Sequence, residues 1–216
     1  MTIPDLSFQD VCVFYNDFCV LKKINWAVKP GEAHALMGAN GSGKSTLLKC
    51  CLGLVPLTHG TIKLFDQPPH HPNILSRVSY LPERLEIPPR LRARDLLKTL
   101  TKNAHHKSMA QDFLNRLSFQ GKKDLDTPMG TLSKGNRQKV LLSLCLSAPN
   151  DLFLLDEMSC GLDSLSLIAL EKIFKDLQEQ GKTIVFTTHC PEEARSLAQH
   201  IRYIHQRTLE KKTQVR

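Results

Sequence analysis

Residues 38–46 read GANGSGKST, with three glycines, one lysine and three hydroxyl side chains in nine positions. The spacing fits G-x-x-x-x-G-K-[ST], a pattern that composition alone would generate in about one chain in a hundred. Each residue type has a job in phosphate chemistry. Glycines let successive N–H groups turn inward around phosphate oxygens, the Lys44 ammonium meets β- and γ-phosphates, and the Ser45 hydroxyl suits Mg²⁺. AHALM (33–37), immediately before, is a short apolar strand candidate, and the residues that follow pass into a helix. Strand, loop, helix is the context that the motif requires.

Working outward, the final third alternates. KGNRQKVLLSLCLS is a helix ended by Pro149, LFLLDE a buried strand, and SLSLIALEKIFKDLQEQ a helix closed by Gly181. TIVFTTH is another strand, and PEEARSLAQ a helix with proline in its first turn. Such alternation implies a mainly parallel sheet covered by helices. Before the loop, VCVFY and INWAV are β-rich runs separated by the turn-forming ND and closed by KPGE. Prolines crowd residues 65–94, which read as loop around one strand candidate, RVSYL (77–81). Leu96, Leu97, Leu100, Phe113, Leu114 and Leu117 then return at helical spacing. The expected fold is α/β: a P-loop NTPase core with a mainly parallel sheet, an N-terminal antiparallel β part and an inserted small helical subdomain. Residues 1–216 form one domain on this reading, with core 1–89 and 131–216 and helical subdomain about 90–130.

Composition narrows the function classes. The chain has 216 residues, 41% hydrophobic, enough for one well-buried domain. Its first thirty residues scatter polar groups through every apolar run, unlike a signal peptide. The longest apolar patch, VLLSLCLSA (140–148), falls well short of the roughly 18 residues of a spanning helix. Seven cysteines lack C-x-x-C spacing and histidines at ligand spacing, so they read as reduced thiols of a cytosolic protein. His70/His71 and His105/His106 read as solvated surface. The net charge of +8 is concentrated partly between Arg77 and Lys107, with eight Lys/Arg against three Asp/Glu, and partly in the tail RTLEKKTQVR. No aromatics interleave with those charges as single-strand nucleic-acid binding requires, and a solvated face is expected.

Two more strand ends carry chemistry. LFLLDE ends in two carboxylates at the edge of the sheet where α/β folds bind ligands. There Asp156 is placed to hold Mg²⁺ and Glu157 to polarise an attacking water. TIVFTTH ends in His189, which reaches a γ-phosphate if its strand neighbours AHALM. TLSKGNRQKV (131–140) places Ser133, Lys134 and Gly135 at a second helix start, which is a second natural anion site.

The order of these motifs resembles the ATP-binding cassette (ABC) ATPase domain, exporter-like in subgroup, over about residues 5–205. GANGSGKST resembles the Walker A loop, SYLPE falls where the Q-loop belongs, and LSKGN is similar to the signature LSGGQ. LFLLDEMSCGLD resembles Walker B followed by the D-loop, with His189 as the switch histidine. The resemblance implies that Tyr15 stacks on adenine and that Gly38, Asn40, Gly41, Ser42, Gly43, Lys44, Ser45 and Thr46 hold the phosphates of ATP. It further implies Ser45, Glu83 and Asp156 as Mg²⁺ ligands, with Glu157 and His189 catalytic. Ser133 and Gly135 would bind the γ-phosphate of ATP held by a second, head-to-tail cassette. Departures from the family pattern are Glu83 for the Q-loop glutamine, Lys134 and Asn136 in the signature, and Met158 for the usual proline. Cys160, just before the D-loop Gly161, Leu162 and Asp163, would lie near the dimer interface, where a thiol is open to oxidation.

The implied function is the ATP-hydrolysing subunit of a membrane transporter, acting as a homodimer or heterodimer of cassettes on a separate transmembrane permease. No nucleic-acid partner is expected. The location would be peripheral, on the cytoplasmic face of the inner (cell) membrane. The alternative is a soluble ABC ATPase acting on nucleic acid or ribosomes. Members of that class resemble fused cassettes or a cassette split by a long coiled coil, for which the residues between Lys44 and Ser133 are too few.

Overall fold

In a computed structural model the described residues are 2–119 and 125–211. The basic tail beyond Lys211 and residues 120–124 of the expected helical insert lie outside them. Nine strands and six α-helices are seen among the described residues. The antiparallel sheet joins β1 (Leu6–Tyr15), β2 (Phe18–Val28) and β4 (His59–Leu64) in the order β2-β1-β4. The ND pair makes the β1–β2 turn, with Asn16 at φ +51°. A left-handed backbone is one that asparagine tolerates.

The larger sheet contains β3 (Ala33–Met37), β5 (Val78–Leu81), β6 (Leu152–Leu155), β7 (Thr183–Thr188), β8 (His200–His205) and β9 (Thr208–Lys211). Its order is β5-β6-β7-β3-β8-β9, parallel except at β9. Every residue of β3, β6 and β7 is buried, which is why these strands read as unbroken apolar runs without alternation. Phe153, Phe174 and Phe186 are among the largest fully buried side chains. Each contributes roughly 1.5–3 kcal/mol of transfer free energy.

The helices are α1 (Lys44–Cys51), α2 (Ala93–Leu100), α3 (Ala104–Arg116), α4 (Lys134–Leu146), α5 (Ser164–Glu179) and α6 (Pro191–Leu197). The helix α4 is apolar on most sides because two cores share it. Leu141, Leu142 and Leu146 pack with Phe153 and Phe186 of the sheet, whereas Val140 and Leu144 pack with Leu97, Ala110 and Leu114 of α2 and α3. The helical part and the sheet are thereby joined through one rod.

One strand went unread and one expectation needs correction. The region before residue 65 contains β4, which sequence periodicity did not reveal: only Ile62 and Leu64 of HGTIKL are buried. His106 is 3% exposed, not solvated surface. Its N–H donates to Asn103 Oδ1 at 2.8 Å and its Nδ1 accepts from Lys102 N–H at 3.2 Å, so the cap of α3 turns the ring inward. All seven cysteines are free thiols, with Cys12, Cys19, Cys50 and Cys51 buried.

Candidate functional site

The strand order sets the site. In the run β5-β6-β7-β3 the strands are parallel neighbours, so their carboxyl ends lie along one edge. Those ends deliver Glu83, Asp156 with Glu157, His189, and the glycine loop after Met37. A cavity of about 570 Å³ opens there. Asn40 through Thr46 form one wall, Tyr15 and Val20 from the antiparallel sheet another, and Glu83, Glu157, Cys160 and His189 a third.

The loop builds its own anion site. Gly43 caps α1 with φ +104°, left-handed backbone that glycine alone adopts cheaply, and an added methyl would run into Leu21 at 2.8 Å. The helix starts at Lys44, so the N–H groups of its first turn have no partner within α1 and its positive dipole end faces the cavity wall. Lys44 Nζ donates to Gly38 O at 2.9 Å and Ala39 O at 3.3 Å, bending back over the loop. Ser42 Oγ is buried and finds no hydrogen-bond partner in the protein.

Glu157 sits between two cationic or cationisable groups. Its Oε1 is 3.6 Å from Lys44 Nζ and its Oε2 is 2.9 Å from His189 Nδ1. A carboxylate accepts, so Nδ1 of His189 carries the proton in this pair. Nε2 is then the ring nitrogen left for another group: an acceptor when the ring is neutral, a donor when it is protonated. Glu157 has φ +47°, unusual for a residue with a side chain, and its N–H is held by Thr187 Oγ1 at 2.8 Å. The same Thr187 hydroxyl donates to Asp156 Oδ1 at 2.6 Å. One threonine on β7 therefore holds the Asp156 carboxylate and the Glu157 backbone together at the end of β6. Sequence reasoning missed Thr187, although its place two residues before His189 was the available signal. It also missed Val20.

The structure brings Tyr15, Asn40, Gly41, Ser42, Gly43, Lys44, Ser45, Thr46, Glu83, Glu157 and His189 to the same cavity. Gly38 lines an adjoining cavity of about 520 Å³ that shares His189. Asp156 is 2% exposed and lies beneath the surface of the site. Ser133 and Gly135 do not line either cavity. Ser133 caps α4, its Oγ accepting the Asn136 N–H at 3.2 Å. The donors Ser45, Glu83 and Asp156 are all oxygens, the set that Mg²⁺ takes, and the loop N–H groups and Lys44 suit a polyphosphate.

Among the described residues one other group has metal-ligand chemistry: Glu32, His34 and His200, near the opposite ends of the strands. His34 Nδ1 accepts from the Trp26 indole N–H at 3.3 Å, and indole can only donate. The proton of His34 therefore sits on Nε2, 2.8 Å from Glu32 Oε2. A metal on Nε2 would need that proton removed and Nδ1–H pointing at an acceptor. Trp26 is the wrong partner: buried His34 is committed to hydrogen bonds with Trp26 and the partly exposed Glu32, which half-exposed His200 approaches at 3.5 Å.

Comparison with known proteins gives a consistent picture. A family model described as "ABC transporter" matches residues 21–159. A "Probable metal transport system ATP-binding protein" of Chlamydia pneumoniae is 30% identical, over 97% of this chain and 85% of that protein. A "Nod factor export ATP-binding protein I" of Burkholderia pseudomallei (strain 1710b) is also 30% identical, over 93% of this chain and 68% of that protein. Among solved structures, an ATP-binding subunit of an ABC transporter superposes with a TM-score of 0.87 at 24% identity, covering 97% of this chain and 90% of that one. The dimeric bacterial ABC transporter cassette MJ0796 gives 0.84 at 22%, covering 98% and 99%. These superpositions establish the fold.

Proposed function

The chain belongs to the ABC transporter family of ATP-binding, ATP-hydrolysing subunits, and we propose that it works as a dimer of cassettes that closes around two ATP and drives a separate transmembrane permease. The observation that carries this reading is a division within the site. The glycine loop, Glu157 and His189 share one cavity, while Ser133 and Gly135, at the second helix start, lie outside it. A second anion site that does not face the chain's own phosphate loop is accounted for if it serves a neighbour's nucleotide.

Within that dimer Tyr15 stacks on the adenine, and the loop N–H groups from Asn40 to Thr46 hold the phosphates. Lys44 gives up its contacts with Gly38 O and Ala39 O to meet the β- and γ-phosphates. Ser45, Glu83 and Asp156 would hold Mg²⁺, which when bound offsets phosphate charge. Glu157 orients the attacking water and takes its proton at the carboxylate, and His189 keeps Glu157 in place through Nδ1 while its Nε2 faces the γ-phosphate. The partner's Ser133 and Gly135 close the site from the other side and exclude water.

Among the described residues no helix is long and apolar enough to cross a membrane. Membrane work then falls to the permease, with this subunit peripheral on the cytoplasmic face. The names "metal transport" and "export" among relatives of equal identity fit a cassette whose cargo is chosen by its permease. The test is co-purification in mild detergent from the native cell. A stoichiometric polytopic membrane protein is the expected companion; ribosomal proteins or nucleic acid in its place would overturn the transporter reading.

A further inference from the structure

One face of the first two turns of α4 is committed to the loop that follows Glu157. At about 100° per residue, positions 134, 135, 138 and 139 fall within roughly 140° of arc. Lys134 Nζ lies 2.6 Å from Cys160 Sγ. Gln138 Nε2 donates to Met158 O at 2.7 Å, and Lys139 Nζ donates to Asp163 Oδ2 at 3.0 Å. Between these contacts Gly135 lies so close to the Gly161 carbonyl that a methyl group would not fit. Both ends of the loop are therefore held by adjacent residues of one helix.

Two of the contacts go beyond packing. Lys139 is 5% exposed, and a buried ammonium is costly unless paired. Its partner Asp163 also caps α5, accepting the Ser166 N–H at 2.8 Å. The Ser166 N–H first, and Lys139 second, hold the Asp163 carboxyl well below the usual carboxylate range. Gln138 grips the carbonyl next in sequence to Glu157, whose left-handed backbone persists only if its surroundings fix it. Thr187 fixes it from β7, and Gln138 fixes the following residue from α4.

We propose that Gln138 and Lys139 are positioning residues for ATP hydrolysis, clamping residues 158–163 to α4 so that the placement of Glu157 follows the placement of α4. This rests on the reading of Glu157 as the residue that orients the attacking water. The helix has Ser133 and Gly135 at its start, and its far face packs on α2 and α3. A phosphate arriving from the partner at the start of α4, or a push on the helical part, is thereby transmitted to Glu157 of the same chain.

The test uses the full chain with Lys139→Met, which keeps the apolar stem and removes the ammonium. Asp163 has 58% of its side chain exposed, so water replaces the lost partner and the fold tolerates the change. The expected result is a kcat about tenfold or more below wild type with the Kd for MANT-ATP within about twofold, a loss confined to the catalytic step. Lys139→Arg restores kcat to within about threefold, since its guanidinium reaches the same carboxylate. Gln138→Leu, which strands no charge, gives the same split and serves if Lys139→Met melts early. Unchanged kcat in both Lys139→Met and Gln138→Leu overturns the proposal, as does a matching loss of MANT-ATP binding or failure of arginine to rescue. Glu157→Gln is assayed beside them. If it is inactive and the clamp variants are active, the clamp alone fails; if it turns over normally, the reading of Glu157 falls and takes the clamp with it.

Discussion

Adding one methyl group at Gly135 sets two effects of opposite sign against each other. In a helix, alanine is favoured over glycine by about 1 kcal/mol. Against this, the new Cβ would land on the Gly161 carbonyl oxygen, a backbone atom that cannot rotate away. Gly161 has φ +90° and is flanked by the Leu162 N–H to Ser159 O bond at 2.9 Å and the Lys139–Asp163 pair. The loop and α4 must therefore separate, at an overpacking cost of about 1–3 kcal/mol, with the Gln138 and Lys139 contacts strained in addition. Because the obstructing atom is backbone, the clash falls in the upper part of that range, about 2–3 kcal/mol, and outweighs the propensity gain, leaving roughly 1–2 kcal/mol of net destabilisation. For a chain of this length each kcal/mol moves Tm by about 2–4 °C, so Gly135→Ala should melt about 2–8 °C below wild type in differential scanning calorimetry. A variant that melts at or above wild type would show that the helix gain dominates and that the close approach of α4 to the loop is not a tight one.

Other outcomes follow from the same geometry. Tyr15→Ala should raise KM for ATP about tenfold with little change in kcat, from about 1–3 kcal/mol of base stacking, whereas Tyr15→Trp should stay near wild type; equal KM values for all three would remove Tyr15 from the nucleotide site. Ser133→Arg should leave MANT-ATP binding by the monomer intact and abolish ATP-driven dimerisation; a dimer that still forms would contradict the trans role of the signature. Burial pulls the pKa of His34 from 6.5 down to about 4, so the unfolded state binds the extra proton between those values. The stability contributed by neutral His34 is thus present above pH 6.5 and is lost as pH falls toward 4, by up to about 3 kcal/mol. Urea melts of His34→Leu across that window should show a shallower pH dependence than wild type, and identical slopes would refute the assignment.

The elements that sequence located best are those buried on every side. AHALM coincides with β3, and LFLL and TIVFTT with β6 and β7, because a strand covered on both faces must be continuously apolar. The glycine loop was legible for another reason: its backbone conformation admits few residues besides glycine. The strands on the β9 side of the larger sheet were harder. β8 and β9 read HIRYIH and TLEK, and in β8 only Ile204 is fully buried, so their pairing comes from neighbours that composition does not reveal. Lys139 was equally hidden. It stands beside the apolar run of α4 like any solvated lysine, and only the fold brings Asp163 to it from 24 residues away. Thr187 was missed because a hydroxyl in an apolar strand gives no sign that it holds one carboxylate and the backbone of the next residue. Lys134, a departure from the family signature, and Cys160, just before the D-loop, lie 26 positions apart in sequence and touch each other in the structure.

The most direct test of the dimeric cassette is light scattering on purified Glu157→Gln during size-exclusion chromatography, with and without Mg-ATP. Without nucleotide the protein should elute at its monomer mass of 24.4 kDa. With Mg-ATP it should double, since the variant keeps Lys44 and the glycine loop but loses the carboxylate that orients water. ADP should return it to monomer. A variant that binds ATP yet stays monomeric at micromolar concentration would contradict ATP-driven closure and leave the second anion site at Ser133 without its proposed ligand.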